Sequence, residues 1–320
     1  MNKVKSIIIL LVLIAVSSLL FFGFSSKKQV IEALNAKEPF NEKYHIVPVR
    51  IPEVLVFAEE EVPIQNFDTY ESLDRELLIN TYWQSQTLIF IKRAHRYFPI
   101  IEPILKEQGV PDDLKYLALA ESGLANVISP SDAVGFWQFL NGTAQDYKLE
   151  VNSEVDERYH LEKATKAAAN FLKDSYNKYG SWAMAAASYN MGRRNVSTQI
   201  DRQKSDNYYD LILGEETGRY MYRLIALKLI IESPDDYGFH VTDDQKYQEI
   251  PYKTVIIDST ITNLADFAHF NGINYKILKE LNPWLRDVSL TNKNKKTYEI
   301  KIASDKFRTF NPNPKFFSSN

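Results

Sequence analysis

Residues 114–123 read Leu-Lys-Tyr-Leu-Ala-Leu-Ala-Glu-Ser-Gly, and the rest of the chain is arranged around them. Pro111, Asp112 and Asp113 stand just ahead. Proline suits a first helical turn, and acidic side chains favour the positive end of the helix dipole. Gly123 is a stop signal. Between them Leu114, Leu117 and Ala118 recur at helical spacing, and Glu121 falls on the same stripe, four after Leu117 and three after Ala118. The spacing therefore puts a carboxyl group on the inward face. Desolvation disfavours the ionised form, so such a group keeps its proton near neutral pH and can serve as a general acid. Taken alone, Glu121 equally fits a salt-bridged glutamate at the edge of a core helix. The rest of the chain tips that balance.

With 320 residues, 45% hydrophobic and 25% charged, the chain is ordinary globular material with room for one large or two smaller cores. A net charge of -3, from 38 basic and 41 acidic residues, gives no support for a nucleic-acid partner. There are no cysteines, which excludes disulfides, thiolate metal sites and a cysteine nucleophile. His45, His95, His160, His240 and His269 are scattered, none spaced from another like a metal pair. No metal and no cofactor are expected.

Lys3 and Lys5 precede a nearly unbroken apolar run over 6–24. This reads as an export signal or membrane anchor over 1–26, long enough to span a bilayer. No convincing small-x-small cleavage site follows, which favours an uncleaved anchor with the remainder outside the cytoplasm, although Lys27 and Lys28 weaken the charge asymmetry. Residues 27–68, with Pro39, Pro48, Pro52, Pro63 and the acidic run 59–61, read as a linker holding one short strand near 53–58.

A helical region over 69–240 follows. Helical spacing runs over 70–97, with a second short helix over 99–108. Residues 126–135 are loop, leading into Gly135-Phe136-Trp137-Gln138. A glycine before two aromatics and an amide fits close approach of backbone to a ligand, and fits equally a core turn filled by Trp137. An alanine-rich amphipathic helix from Leu161 ends at Gly180, and a helix from Trp182, apolar on most sides, ends in Ser188-Tyr189-Asn190. Glu216-Thr217-Gly218-Arg219-Tyr220 opens another that runs to about 231. Beyond Pro251 the pattern becomes strand, two short helices and strand, with Asn263 as a cap, giving a small βααβ unit over 250–304. A tail over 305–320 ends the chain.

Four pieces thus stand in order: Glu121-Ser122, Gly135-Phe136-Trp137-Gln138, Ser188-Tyr189-Asn190 and Glu216-Thr217 with Tyr220. Together they resemble the lysozyme-like lytic murein transglycosylases, and among them the membrane-bound type D group. The resemblance covers roughly 82–231 and includes Gly109-Val110-Pro111, Asp156 with Arg158, and the run Tyr179 to Trp182. Residues 252–302 look like a degenerate LysM-type peptidoglycan-binding module. The implied fold is mainly α, a lysozyme-like catalytic domain followed by the small βααβ domain. Departures from the family pattern are Ser188 in place of alanine, Trp137 where many relatives have methionine, and the acidic Asp132 in a loop that is usually neutral.

The resemblance implies a peptidoglycan substrate and a single catalytic carboxyl, where ordinary glycosidases use two. Glu121 would protonate the oxygen between N-acetylmuramic acid and N-acetylglucosamine. As a carboxylate it would then take the proton of the muramyl 6-hydroxyl, leaving a 1,6-anhydro end. By the same resemblance Tyr189 and Gln138 hold the substrate and Glu121, Ser122 orients the acetamido region, Asn190 forms cleft wall with Gly135, Phe136 and Trp137, and Tyr220 contacts Glu121 or the sugar. Two rival readings remain: a muramidase in which Asp132 or Asp146 places a water, and a non-catalytic peptidoglycan-binding protein.

Overall fold

The computed structural model describes residues 47–304. The anchor expected over 1–26, the linker up to 46 and the tail from 305 lie outside the described residues. Among the described residues no helix is long and apolar enough to cross a membrane.

Among the described residues ten α-helices dominate: α1 (Phe67–Tyr82), α2 (Gln84–Glu107), α3 (Lys115–Ser122), α4 (Asn141–Asp146), α5 (Leu161–Tyr179), α6 (Trp182–Met191), α7 (Arg193–Gln203), α8 (Glu215–Glu232), α9 (Leu264–Phe270) and α10 (Tyr275–Leu281). Two small antiparallel sheets complete the fold, β1 (Val56–Phe57) with β2 (Glu60–Glu61), and β3 (Tyr252–Ile257) with β4 (Tyr298–Ala303). Helix α6 is central, buried from Trp182 through Ser188, and packs on α5 and α8. Its alanines let neighbouring backbones approach closely.

Residues 55–64 belong to this core, not to a linker. Leu55, Phe57, Ala58, Val62 and Ile64 are buried. The Glu60 carboxylate accepts hydrogen bonds from the N–H groups of Trp182 (2.5 Å) and Ala183 (3.1 Å) and from Ser181 Oγ (3.0 Å), capping the start of α6. A carboxylate there meets both the unpaired amides and the positive dipole end. Asp113 accepts from the Ala58 N–H at 2.8 Å and pairs with Lys228 at 2.7 Å, fastening the same segment to the opening of α3.

The helix boundary also differs from the sequence reading. The break falls at Trp83, and α2 runs unbroken through Pro99 and Pro103. A proline inside a helix removes one backbone donor, but Phe98, Ile101 and Leu105 on that stretch are buried, and this packing holds the helix through the defect. Helix α7, among the described residues, was not marked by any apolar stripe in the sequence; only its Val196 is buried.

The C-terminal βααβ unit has its own core, but not a separate one. Leu264, Leu278, Trp284, Leu285, Leu290, Ile300 and Ile302 cluster with Val134, Val155 and Tyr159 of the helical domain. Across this seam Asp156 N–H donates to the Trp284 carbonyl (2.9 Å), Arg286 N–H donates to the Glu154 carbonyl (2.7 Å), and the Arg286 guanidinium lies 4.0 Å from the Tyr159 ring centre.

Candidate active site

Helix α3 packs against α2 and α8, and Glu121 lies in its last turn. Gly123 stops it in the left-handed conformation (φ 61°), with its N–H donating to the Leu119 carbonyl at 2.8 Å. A Cβ there would stand 2.6 Å from Phe90 Cε1, so glycine is required on two counts, conformation and space. The Glu121 side chain is half-buried. Tyr220 of α8, itself buried, donates its phenol to Glu121 Oε1 at 2.5 Å.

Burial drives the Glu121 carboxyl above its ordinary range; the Tyr220 hydrogen bond opposes this, the charge of Glu216 adds to it, and that of Arg223 opposes it. The inward-facing acid expected from the sequence is therefore present, and it is no salt-bridged edge residue. Arg223 is held back by a different partner, Glu76, which is 1% exposed and bound by Arg219 (2.6 Å) and Arg223 (3.6 Å). Burial also pushes the phenols of Tyr189 and Tyr220 well above the usual tyrosine value, so both stay neutral donors.

Of the other anticipated residues, Tyr189 is near enough for its phenol to feel the charge of Glu121, and the rest are fixed by contacts the sequence did not foretell. Ser122 Oγ lies 2.9 Å from the carbonyls of Ala118 and of Phe136, and so ties α3 to the loop that follows. Gly135 (φ 81°) is needed because a Cβ would stand 2.1 Å from the Arg158 carbonyl oxygen. The close approach expected of a ligand is thus made by the chain's own backbone. Trp137 is fully buried, and its Nε1 donates to Thr165 Oγ1 at 2.9 Å. It is a core anchor rather than a wall. Phe136 is buried too, edge-on to Tyr97.

Gln138, itself in the left-handed region (φ 49°), donates from Nε2 to the carbonyls of Gly135 (2.7 Å) and Val127 (3.1 Å), so its amide shapes the loop. Tyr189 donates to the Trp137 carbonyl at 2.7 Å while its ring packs on Phe139 and Phe171. Asn190 donates to Glu216 Oε1 (3.0 Å) and accepts from Thr217 Oγ1 (2.6 Å), joining the ends of α6 and α8. Ser188, where alanine was expected, is buried and donates to the Ala185 carbonyl, which satisfies it within the helix.

Asp132 and Asp146 are both exposed, and neither is among the charges that shift Glu121. The acidic neighbour that matters is Glu216. Sequence reasoning also missed Glu76 with Arg219 and Arg223, since an acid in an amphipathic helix reads as a solvated face.

A short α-helix ending in a protonatable glutamate, an interleaved glycine-aromatic loop and a central alanine helix, followed by a βααβ unit, define a lysozyme-like all-α domain of the SLT type. Residues 98–212 match the Transglycosylase SLT domain, and residues 253–306 match the Soluble lytic transglycosylase C-terminal LysM-like domain. The chain carries an SLT transglycosylase domain followed by a C-terminal LysM-like domain, and is homologous to Membrane-bound lytic murein transglycosylase D of Escherichia coli (strain K12) and of Escherichia coli O6:H1. It is 26% identical to each over 204 residues, a stretch that covers 62% of this chain and 44% of each relative. The matched stretch thus spans under half the length of those relatives.

Proposed function

We propose that this chain cleaves the β-1,4 bond between N-acetylmuramic acid and N-acetylglucosamine in peptidoglycan without consuming water, leaving a 1,6-anhydromuramyl end. The observation that carries this is the single carboxyl Glu121, pushed towards its protonated form by burial and held by the Tyr220 phenol. Protonated, it donates to the glycosidic oxygen as the bond to C1 breaks. The resulting carboxylate then accepts the proton of the 6-hydroxyl as that oxygen closes onto C1, which restores the acid. A positioned acid of this kind contributes roughly 10²- to 10⁴-fold. The names of the similar proteins and both matched domains support a murein substrate.

In this reading the polar groups near Glu121 act mostly through the loop. Ser122, Gln138 and Tyr189 fix the backbone of 135–138, and Tyr220 sets the carboxyl. Asn190 steadies Glu216. A membrane-held, exported location fits the apolar stretch at 6–24 and the relatives' description as membrane-bound.

One observation favours a hydrolytic alternative: Glu216 is exposed, and its charge is felt by Glu121, so it is the group that could place a water. Digestion of purified sacculi followed by mass measurement of the fragments separates the two. Anhydro ends, lighter by one water than reducing ends, are expected. Reducing muramic ends from the purified protein would overturn the non-hydrolytic reading, and intact sacculi would leave only a glycan-binding protein.

A further inference from the structure

Away from Glu121, the seam between the helical domain and the LysM-like unit encloses about 690 Å³ of empty space, its solvent-open mouth included. Asn126 and Phe136 line it on one side, and the Phe136 carbonyl is the one that Ser122 meets at 2.9 Å. The cleft therefore lies beside the loop that follows the Glu121 helix.

Most of its aromatic lining is buried, and the exposed ring, Tyr252, has the Lys301 ammonium 4.7 Å from its centre. Trp284 is the largest ring there, and it is buried, stacked with His160 (centroids 5.7 Å apart) and with Tyr298 (5.7 Å). Tyr97 is edge-on to Phe136. The charged groups at the cleft divide into paired and unpaired ones. Glu162 is already committed: burial would raise it, but the His160 contact at 3.2 Å and Lys301 across the seam hold it down to about 2. Among the described residues, the side chains of Glu249 and Glu280 have neither an ion pair nor a hydrogen bond, and both residues are exposed at this cleft. Arg96 donates to the Gln248 carbonyl at 2.8 Å and lies over Tyr247, with no carboxylate partner among the described residues.

An arginine without a carboxylate partner and two carboxylates without a cation, all lining one concavity, complement a ligand that carries both an amine and a carboxylate. A neutral sugar would leave these charges partly desolvated and unpaired, at a cost. We propose that the seam binds the peptide branch of peptidoglycan, Glu249 and Glu280 taking the amine of a diamino acid and Arg96 its carboxylate, while the glycan lies at Glu121. This rests on the proposed function for the glycan, not for the seam's own chemistry. Because Arg96 comes from α2, Glu249 from the connector and Glu280 from α10, the site exists only while the two units stay docked.

The test uses the full chain and two probes. Calorimetry with a synthetic tripeptide ending in lysine is expected to show binding that falls about tenfold, the equivalent of one lost charge pair, in Glu249→Gln with Glu280→Gln, in Arg96→Ala, and on acetylation of the lysine amine. Unchanged binding in the variants, or none in the parent, overturns the proposal. In parallel, peptide-bearing and peptide-stripped glycan are digested. A rise in KM confined to the peptide-bearing glycan in the double variant supports the site, and equal handling of both glycans by parent and variant refutes it. If neither glycan is cut while the tripeptide binds as expected, the proposed function fails and the peptide site stands.

Discussion

The phenol of Tyr220 donates to Glu121 Oε1 at 2.5 Å, joining the end of one buried helix to the start of another 99 positions away. This contact works against burial: it favours the carboxylate, whereas desolvation favours the acid. Tyr220→Phe should therefore raise the Glu121 pKa further. In a pH–rate profile the limb on which the general acid loses its proton should move to higher pH, with kcat reduced because the carboxyl is less firmly aimed. A profile that shifts to lower pH would contradict the assigned sign.

Glu121→Gln should abolish turnover and stabilise the fold. The sign follows from linkage: a carboxyl whose folded pKa is raised retains a proton that the unfolded chain has lost above about pH 4.3. Stability contributed by that proton is lost as pH rises through the folded value, so ionised Glu121 is a liability at neutral pH. Glutamine cannot ionise and still accepts from Tyr220. Thermal melts of parent and variant should coincide near pH 4 and separate progressively towards pH 8, with the variant higher.

Gly135→Ala tests whether the loop's shape, more than its side chains, matters for activity. The new Cβ would meet the Arg158 carbonyl oxygen at 2.1 Å in a left-handed backbone that alanine avoids. The loop must shift, at about 1–3 kcal/mol. Circular dichroism should show a helical fold retained, and activity should fall far more than stability. Wild-type activity in this variant would mean the 135–138 backbone is not part of the site.

Much of this was legible in the sequence, and the reasons differ from place to place. Glu121 could be placed because its helix has a clear opening, stripe and stop, and the two units because the period changes beyond Pro251. What was hidden is tertiary. Nothing local shows that Glu60 caps a helix 122 positions later, or that Trp137 turns inward to Thr165. Gly135 signals a close approach of backbone, but the sequence does not say whether a ligand or the Arg158 carbonyl makes it, and nothing in it marks Gln138 for the left-handed conformation. Prolines in α2 misled for a related reason, since the packing that overrides them comes from elsewhere in the chain.

The shared second core makes a last prediction about cooperativity. The Glu154 carboxylate accepts from the Thr291 N–H (2.7 Å), Thr291 Oγ1 (2.9 Å) and Ser289 Oγ (3.3 Å), and its own carbonyl accepts from Arg286. Val155 and Tyr159 beside it are buried among the LysM-like unit's apolar residues. A module that merely hung from the helical domain would melt independently. Here the unit cannot open without exposing part of the ledge on which Gly135 rests. Full-length protein should therefore show coincident transitions by far-ultraviolet circular dichroism, dominated by the helical domain, and by an NMR or exchange probe in β3 and β4. Glu154→Ala, which removes charge-assisted hydrogen bonds of about 1.5–3 kcal/mol in favourable settings, should lower the C-terminal unit first and split the transition. It should also slow catalysis without altering the pH limb set by Glu121, because the disturbance reaches the site through the Arg158–Gly135 contact and not through the carboxyl. Two separate transitions already present in the parent protein would show that the seam does not couple the units.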